Sequence, residues 1–348
     1  MNAYEYEVTI AMPVYNVARY LRQTLDAVLA QTFPSLELLV CDDCGTDGSI
    51  DIVREYQRQH PRGRHIRIVR QPRNMGIGAA RNRLMDEARG RYLYGCDADD
   101  LIEPGTIERL YHAAQEHQAD MVYGSYDRVY TMHDVEQRRE PHVYEHRVFT
   151  RPDDYALFAY DGHVQVMTWN FLIRLDIMRA NHLRVAHVNY GEDYTFTVDL
   201  PTYVDRVVLL PDVTYHYYVR LPQTPRYKQH LSRDEMQQYV DTIDQKKRRT
   251  HLANKPYYAR RCATLLMYDW SFARQMVAAR HLVDPPYRPD EIKHVMWQPM
   301  TLGQIMRSPC SRRNNLLAWL LSRLPARLLT WVIACTQKTS PSTNDNTR

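Results

Sequence analysis

Over the first 126 residues, short apolar runs alternate with stretches whose apolar positions recur every three or four residues. That alternation is the sequence sign of βαβ units around a mostly parallel sheet. Residues 8–12 read as the first strand, stopped by Pro13. Leu21, Leu25, Val28 and Leu29 then give one apolar face to a helix predicted over 19–31. Strands are predicted at 36–41, 66–69, 92–96 and 121–126, with helices between them through Ile52, Val53 and Tyr56, at 78–89 and at 106–118. Asp47 or Ser49 can cap the second helix. Each strand ends near a polar cluster, and in open α/β sheets ligands bind outside the carboxyl ends of the strands.

Beyond residue 127 the alternation becomes irregular and richer in His, Tyr and Arg, so residues 127–230 read as a part built onto the α/β domain of residues 1–126. Residues 231–282 look mainly helical, and Asp284-Pro285-Pro286 makes a linker. A helical C-terminal region is therefore expected over 231–338. Within it, residues 314–335 are rich in Leu and Trp, but Arg323, Pro325 and Arg327 interrupt them, short of the roughly 18 clean apolar residues that a span needs. Trp319 and Trp331 with Arg312 and Arg313 suit an amphipathic segment lying in a lipid headgroup layer, giving peripheral membrane contact through 314–335. Packing against the protein's own body explains the same pattern. Residues 339–348 are polar and expected to be disordered.

Composition adds limits. The 348 residues are long enough for two domains, and 44% hydrophobic with 25% charged content excludes a disordered or fibrous class. A net charge of +4 suits an anionic ligand or a lipid surface and does not argue for nucleic acid. The 26 tyrosines against 6 phenylalanines favour half-buried rings with wet hydroxyls, as sugar sites require. The six cysteines form no paired framework, and Met1-Asn2-Ala3-Tyr4-Glu5 opens no apolar signal segment, so a reducing, cytoplasmic location is expected, peripheral at the inner face of the cell membrane if the tail meets lipid. Cys41-x-x-Cys44 lacks the second pair of ligands that zinc needs, and both are read as small buried residues.

Three acidic clusters stand out: Asp42-Asp43, Asp97-Ala98-Asp99-Asp100 and Glu192-Asp193. Crowded carboxylates repel, and a hard divalent cation is an economical compensation. Such clusters also arise as solvated turns, and Glu192-Asp193 as an acidic pair at a helix N-terminus. Between the first two lies the loop 74–82, where Gly76 and Gly78 permit close backbone approach and Arg81 can meet a diphosphate or a base. It matches neither G-x-G-x-x-G nor the phosphate loop G-x-x-x-x-G-K-[ST]. Lys246-Lys247-Arg248-Arg249 reads as a solvated helix face. His187 and His216 read as structural histidines or as lining of an acceptor cleft.

Taken in order, Pro13-Val14-Tyr15-Asn16, Gln31-Thr32-Phe33, the segment 37–49 with Asp42-Asp43, the loop 74–82 and Asp97-Ala98-Asp99-Asp100 resemble the inverting family 2 glycosyltransferases, in particular those of bacterial exopolysaccharide and capsule synthesis. The similarity continues through Trp169-Asn170, residues 190–196 and Tyr215-His216-Tyr217-Tyr218. It implies a GT-A-type α/β fold and transfer of a hexosyl group from a nucleotide sugar, with UDP as the expected nucleotide, to a saccharide or lipid-linked saccharide by a single inverting displacement. By the same resemblance Pro13 and Tyr15 lie against the base, Asp42 or Asp43 holds the uracil or ribose, and Arg81 and Asp97 reach the nucleotide. Asp99 binds Mn²⁺ or Mg²⁺, and Asp193 is the catalytic base. Cys44-Gly45 stands where Gly-Ser is more usual, and Phe171 where a Lys is common. A sugar nucleotidyltransferase shares the layout but would carry a basic Gly-rich loop near Pro13, and a non-catalytic nucleotide-sugar-binding or scaffold subunit would have no need of Asp97, Asp99 and Asp193.

Overall fold

The computed structural model describes residues 4–164, 166–187, 191–221 and 232–338. The chain divides into two compact units, residues 1–159 with 164–225, and residues 160–163 with 226–348.

In the first unit, β1 (Tyr6–Val14), α1 (Ala18–Leu29), β2 (Leu36–Asp42), α2 (Ser49–Gln59), β3 (Ile66–Arg70), α3 (Ile77–Glu87) and β4 (Gly90–Gly95) form the expected alternation. The sheet continues with β5 (Leu101–Ile102), β6 (Met121–Met132) after α4 (Thr106–Glu116), β7 (Val135–His142), β8 (Arg147–Phe149), β9 (Phe171–Arg174) and β10 (Val207–Leu221). Short helices α5 (Asp154–Tyr160), α6 (Leu175–Ala180) and α7 (Glu192–Thr197) fill the later connections. The strand order is β3-β2-β1-β4-β9-β6-β10-β5, with β7 beside β6 and β8 beside β10. The first four strands are mutually parallel, and β9 enters antiparallel between β4 and β6. Residue 126 falls inside β6, so one sheet carries both halves of this unit.

Alternation along the strands divides the core. Ile10 and Met12 of β1 face one layer with Leu21, Leu25 and Leu110, whereas Ala11 faces the other with Ala80, Leu84, Met178 and Phe196. All seven residues of β2 are buried, as a strand covered on both faces requires.

Asn170 fastens the irregular half. It is fully buried at φ 58°, its amide nitrogen donates to the Gly124 and Ser125 carbonyls at 2.7 and 3.0 Å, and its amide oxygen accepts from Thr214 and Tyr94 at 2.8 and 3.2 Å. Beside it, Trp169 stacks on Tyr215 with ring centroids 4.3 Å apart.

The second unit is helical: α8 (Arg233–Lys247), α9 (Tyr258–Ala278), α10 (Pro289–Val295), α11 (Leu302–Arg307), α12 (Arg312–Arg323) and α13 (Ala326–Lys338). Ser232 and Glu235 form a capping box that starts α8. The expectation of a solvated face at Lys246–Arg249 is corrected at Lys247, which is fully buried and ion-paired with Asp269 of α9, and whose Nζ donates to the Val295 and Trp297 carbonyls at 2.8 and 3.1 Å. Lys247 follows Ile243 by one helical turn, so the apolar stripe of α8 carries it inward. No helix among the described residues is long and apolar enough to cross a membrane. The tail 339–348 lies outside the described residues.

Candidate active site

β1, β2 and β4 are parallel, so the loops that follow them lie at one end of the sheet. Pro13 pairs with Cys41 across the β1–β2 ladder, and Tyr15, just beyond the end of β1, is 46% exposed. Asp42 and Asp43 are both buried and turned to backbone. Asp42 Oδ1 accepts from the Cys44 amide at 2.9 Å, with its other oxygen 3.3 Å from Arg70 Nε. The two oxygens of Asp43 accept from the amides of Met75 and Gly76 at 2.8 and 3.0 Å, pinning the glycine loop to the end of β2. Gly76 takes φ +83°, a conformation that glycine enters without Cβ strain. At Gly78 a Cβ would lie 2.0 Å from the Ala186 carbonyl oxygen, so only glycine lets α3 approach residues 185–187.

The Cys41/Cys44 expectation holds for Cys41, which is fully buried, whereas Cys44 is half-buried, sits at φ +60° and donates its thiol to the Gln71 carbonyl at 3.2 Å. The positive φ accounts for glycine being the more usual residue there.

Arg81, one turn into α3, joins two of the acidic clusters. One terminal nitrogen donates to Asp97 Oδ1 at 3.0 Å and the other to Glu192 Oε1 at 2.5 Å. Burial works against its charge, but Asp97, Glu192 and Asp193 more than restore it and hold its pKa above the ordinary arginine value. Asp193, in the first turn of α7, accepts from the Tyr194 amide at 2.9 Å. Burial, reinforced by the neighbouring charge of Glu192 and opposed by Arg81, pushes its carboxyl up to about 7.

The Asp97–Asp100 segment is sorted by burial. Asp100 is interior, accepting from the Tyr215 hydroxyl and the Tyr218 amide, each at 2.8 Å, and burial beside Asp99 and Asp97 drives its pKa well above the carboxylate range. The same Tyr215 hydroxyl accepts from the Asp97 amide at 3.1 Å. Asp99 is more open, and its Oδ2 accepts from Arg220 Nη1 at 2.7 Å. Arg220 in turn lies 3.9 Å above the Tyr20 ring. Among the described residues no three His, Cys, Asp or Glu side chains form a metal cage. A Mg²⁺-like ion takes only one or two carboxylates from the protein, and Asp99, with Asp97 two residues away, would offer it hard oxygen ligands.

A small pocket is lined in part by Pro13, Arg81, Cys96, Asp97, Phe171 and Phe196. The structure thus brings Pro13, Arg81 and Asp97 to one pocket, sets Asp193 near enough to Arg81 to feel its charge, and turns Asp42 and Asp43 to the loops after β2 and β3. His187 is exposed, while His216 is held 2.8 Å from Glu103 and 3.3 Å from Asp127. Two residues were missed from the sequence. Glu192 read as a helix-end acid, and Arg220 passed unremarked, although it lies two residues beyond Tyr218 and so shares its strand face.

Residues 9–178 match the glycosyl transferase family 2 model, and the chain carries a glycosyltransferase domain of that family. It is 28% identical over 236 residues to "Uncharacterized glycosyltransferase EpsJ" of Bacillus subtilis (strain 168), covering 65% of this chain and 67% of that one. Among solved structures it is similar to S. aureus TarS 1-349 in complex with UDP-GlcNAc, with TM-score 0.59 and 16% identity over 91% of this chain and 90% of that one. It is also similar to the mannosyltransferase PcManGT from Pyrobaculum calidifontis in complex with GDP-Man and Mn²⁺, with TM-score 0.52 and 16% identity over 92% and 88% of the two chains. These likenesses establish a GT-A-like mixed α/β fold followed by a helical region. The chain spans between 31% and 67% of the length of three curated relatives that it matches.

Proposed function

We propose that the protein is a metal-dependent inverting glycosyltransferase that moves a hexosyl group from a nucleotide sugar, with UDP as nucleotide, to a saccharide acceptor in exopolysaccharide or capsule synthesis. The observation that supports this reading is the Arg81 bridge, which joins Asp97, here read as a donor-side group, to Glu192, whose neighbour Asp193 is here read as the acceptor-side base. The relative named as a glycosyltransferase, and the neighbours that hold UDP-GlcNAc or GDP-Man, support it.

In this reading Pro13 and Tyr15 flank the base, and Asp42 and Asp43 act at the nucleoside end, in part through the loops they hold. Arg81 and Asp97 face the nucleotide. Asp99 would hold Mn²⁺ or Mg²⁺, which when bound supplies Lewis-acid stabilisation to the departing diphosphate. Asp193 takes the proton of the acceptor hydroxyl as the acceptor oxygen bonds to the anomeric carbon; the bond to the diphosphate breaks, its electron pair leaving on the phosphate oxygen. A raised carboxyl pKa suits such a base, since a stronger base takes the proton more readily. Attack from the face opposite the leaving group inverts the anomeric centre. The acceptor is a growing saccharide on a lipid carrier, and residues 314–335 give peripheral contact with the membrane that holds it.

The test is a screen of nucleotide sugars for Mn²⁺-dependent thermal stabilisation, followed by turnover with the best donor. Asp193→Asn should keep the stabilisation and lose transfer by roughly 10²–10⁴-fold. Transfer at the wild-type rate would reject Asp193 as base, and donor binding without turnover on any saccharide acceptor would favour a binding subunit.

A further inference from the structure

Helices α12 and α13 each turn apolar side chains to solvent. In α12 the inward positions include Asn315 and Ala318, with Asn315 fully buried and donating to the Ala259 carbonyl at 2.9 Å. Its outward positions Leu317 and Leu320 are 55% and 51% exposed. The helix therefore buries Asn315 and Ala318 and packs Leu316 and Trp319 on the core of its own unit, while Leu317 and Leu320 face water. α13 is anchored by Leu329 and Ile333, both fully buried, and leaves Leu328 and Trp331 exposed at 44% and 63%. A lone exposed leucine is ordinary on a protein surface, but stripes of large apolar side chains on two successive helices mark a contact surface.

The charge around these stripes identifies the contact. From Ile292 to Lys338 the chain holds seven Lys and Arg and no Asp or Glu, although its net charge is only +4. Arg312 and Arg313 open α12, Arg323 closes it, and Arg327 lies in the first turn of α13. Neither helix holds an Asp or Glu, so a second copy set helix against helix would meet like charge. An anionic headgroup layer is complementary on both counts, taking apolar side chains into the acyl boundary and pairing arginines with phosphates, with tryptophan at the depth it favours.

We infer that the solvent-facing sides of α12 and α13 form a docking surface for an anionic lipid layer, with Leu317, Leu320, Leu328 and Trp331 as the inserting side chains and Arg313 and Arg327 among the headgroup contacts. This deepens the membrane part of the function proposed above and does not depend on sugar transfer.

The experiment is sedimentation of the full chain with phosphatidylcholine vesicles, with and without about one third phosphatidylglycerol. Binding is expected only to the anionic vesicles. Arg313→Gln and Arg327→Gln should each weaken it about fivefold, and Leu328→Ser with Trp331→Ser by about tenfold or more. Circular dichroism and donor-induced stabilisation measured without vesicles should match wild type in every variant, because the substituted side chains are exposed. Absence of binding to anionic vesicles, or unchanged binding by all of the variants, would overturn the inference. So would a shift in the sedimentation-equilibrium mass caused by the Leu328 and Trp331 substitutions, which would make the surface a protein contact. Vesicle binding by a chain that transfers no sugar would sink the catalytic reading alone.

Discussion

Arg81 of α3 and Glu192 of α7 are joined at 2.5 Å, although 111 residues separate them in sequence. The same guanidinium holds Asp97, so the short helix bearing Asp193 is tied to the end of β4 by one side chain. Both Arg81 and Glu192 are mostly buried, with side-chain exposures of 11% and 12%. Removing the cation leaves carboxylates facing one another with little water. Arg81→Ala is expected to cost about 3 kcal/mol of stability, in the range for breaking a buried ion pair from one side. Activity should fall further than folding accounts for. Arg81→Lys should restore most of the charge but not the fork, since an ammonium cannot reproduce the paired geometry. Urea unfolding beside kcat/KM separates the two effects; a lysine variant with full activity would show that charge alone suffices.

Asp193 carries a pH signature. Burial and Glu192 raise its carboxyl from 3.8 to about 7, so a base at this position is ionised only as pH rises through that value. Wild-type kcat/KM is therefore expected to climb about tenfold per pH unit below pH 7 and level off above it. Asp193→Asn should remove that limb. Stability runs the opposite way: the folded chain binds this proton more tightly than the unfolded chain, so the contribution of Asp193 diminishes as pH rises from about 4 through 7. A wild-type profile flat between pH 5 and 8 would argue against Asp193 as the base.

The first half of the fold was legible because strand and helix periods there are regular, although β1 runs through Pro13 to Val14 and β6 through Asp127 to Met132 instead of stopping there. β5, with only two residues, carries no period to detect. β10 runs 15 residues through Pro211 and Asp212, where two register shifts against β6 interrupt the ladder. Acidic site residues could be read from their crowding, but their partners could not. Crowding said that Asp99 needed a cation and gave no sign that Arg220, across a long chain excursion, supplies one. Trp169-Asn170 carries part of the family resemblance and directly precedes β9, yet the main work of Asn170 is to hold three strands by bonds that exist only in the folded sheet.

Arg220 and a divalent ion would meet the same carboxylate. Without Arg220, Asp99 would stand beside Asp97 and Asp100 with one compensating charge fewer, and a free cation should find the site more attractive. Arg220→Gln is expected to gain more thermal stability from Mn²⁺ alone than wild type does. Asp99→Asn should lose the Mn²⁺-linked part of donor stabilisation. A thermal-shift titration with metal, with UDP and with both reads these effects separately. Equal metal responses in wild type and Arg220→Gln would show that the ion pair does not compete for the carboxylate.

The Lys247–Asp269 pair offers a test confined to the helical unit. Lys247 is fully buried and Asp269 nearly so, and burial lifts the aspartate carboxyl to about 7 even against the attraction of the ammonium. Lys247→Met removes that attraction and leaves the Val295 and Trp297 carbonyls without their donor. A loss of about 3–5 kcal/mol is expected near neutral pH, the range for a buried charge deprived of its partner. The carboxyl of Asp269 should then rise further and hold its proton, making the variant relatively more stable at pH 6 than at pH 8. Adding Asp269→Leu should recover much of the loss and abolish that pH dependence, but not all of the stability, because the two carbonyls stay unpaired. Urea unfolding of the single and double variants at both pH values measures each part. A single variant as stable as wild type at pH 8 would mean that water reaches the pair and that its burial contributes little.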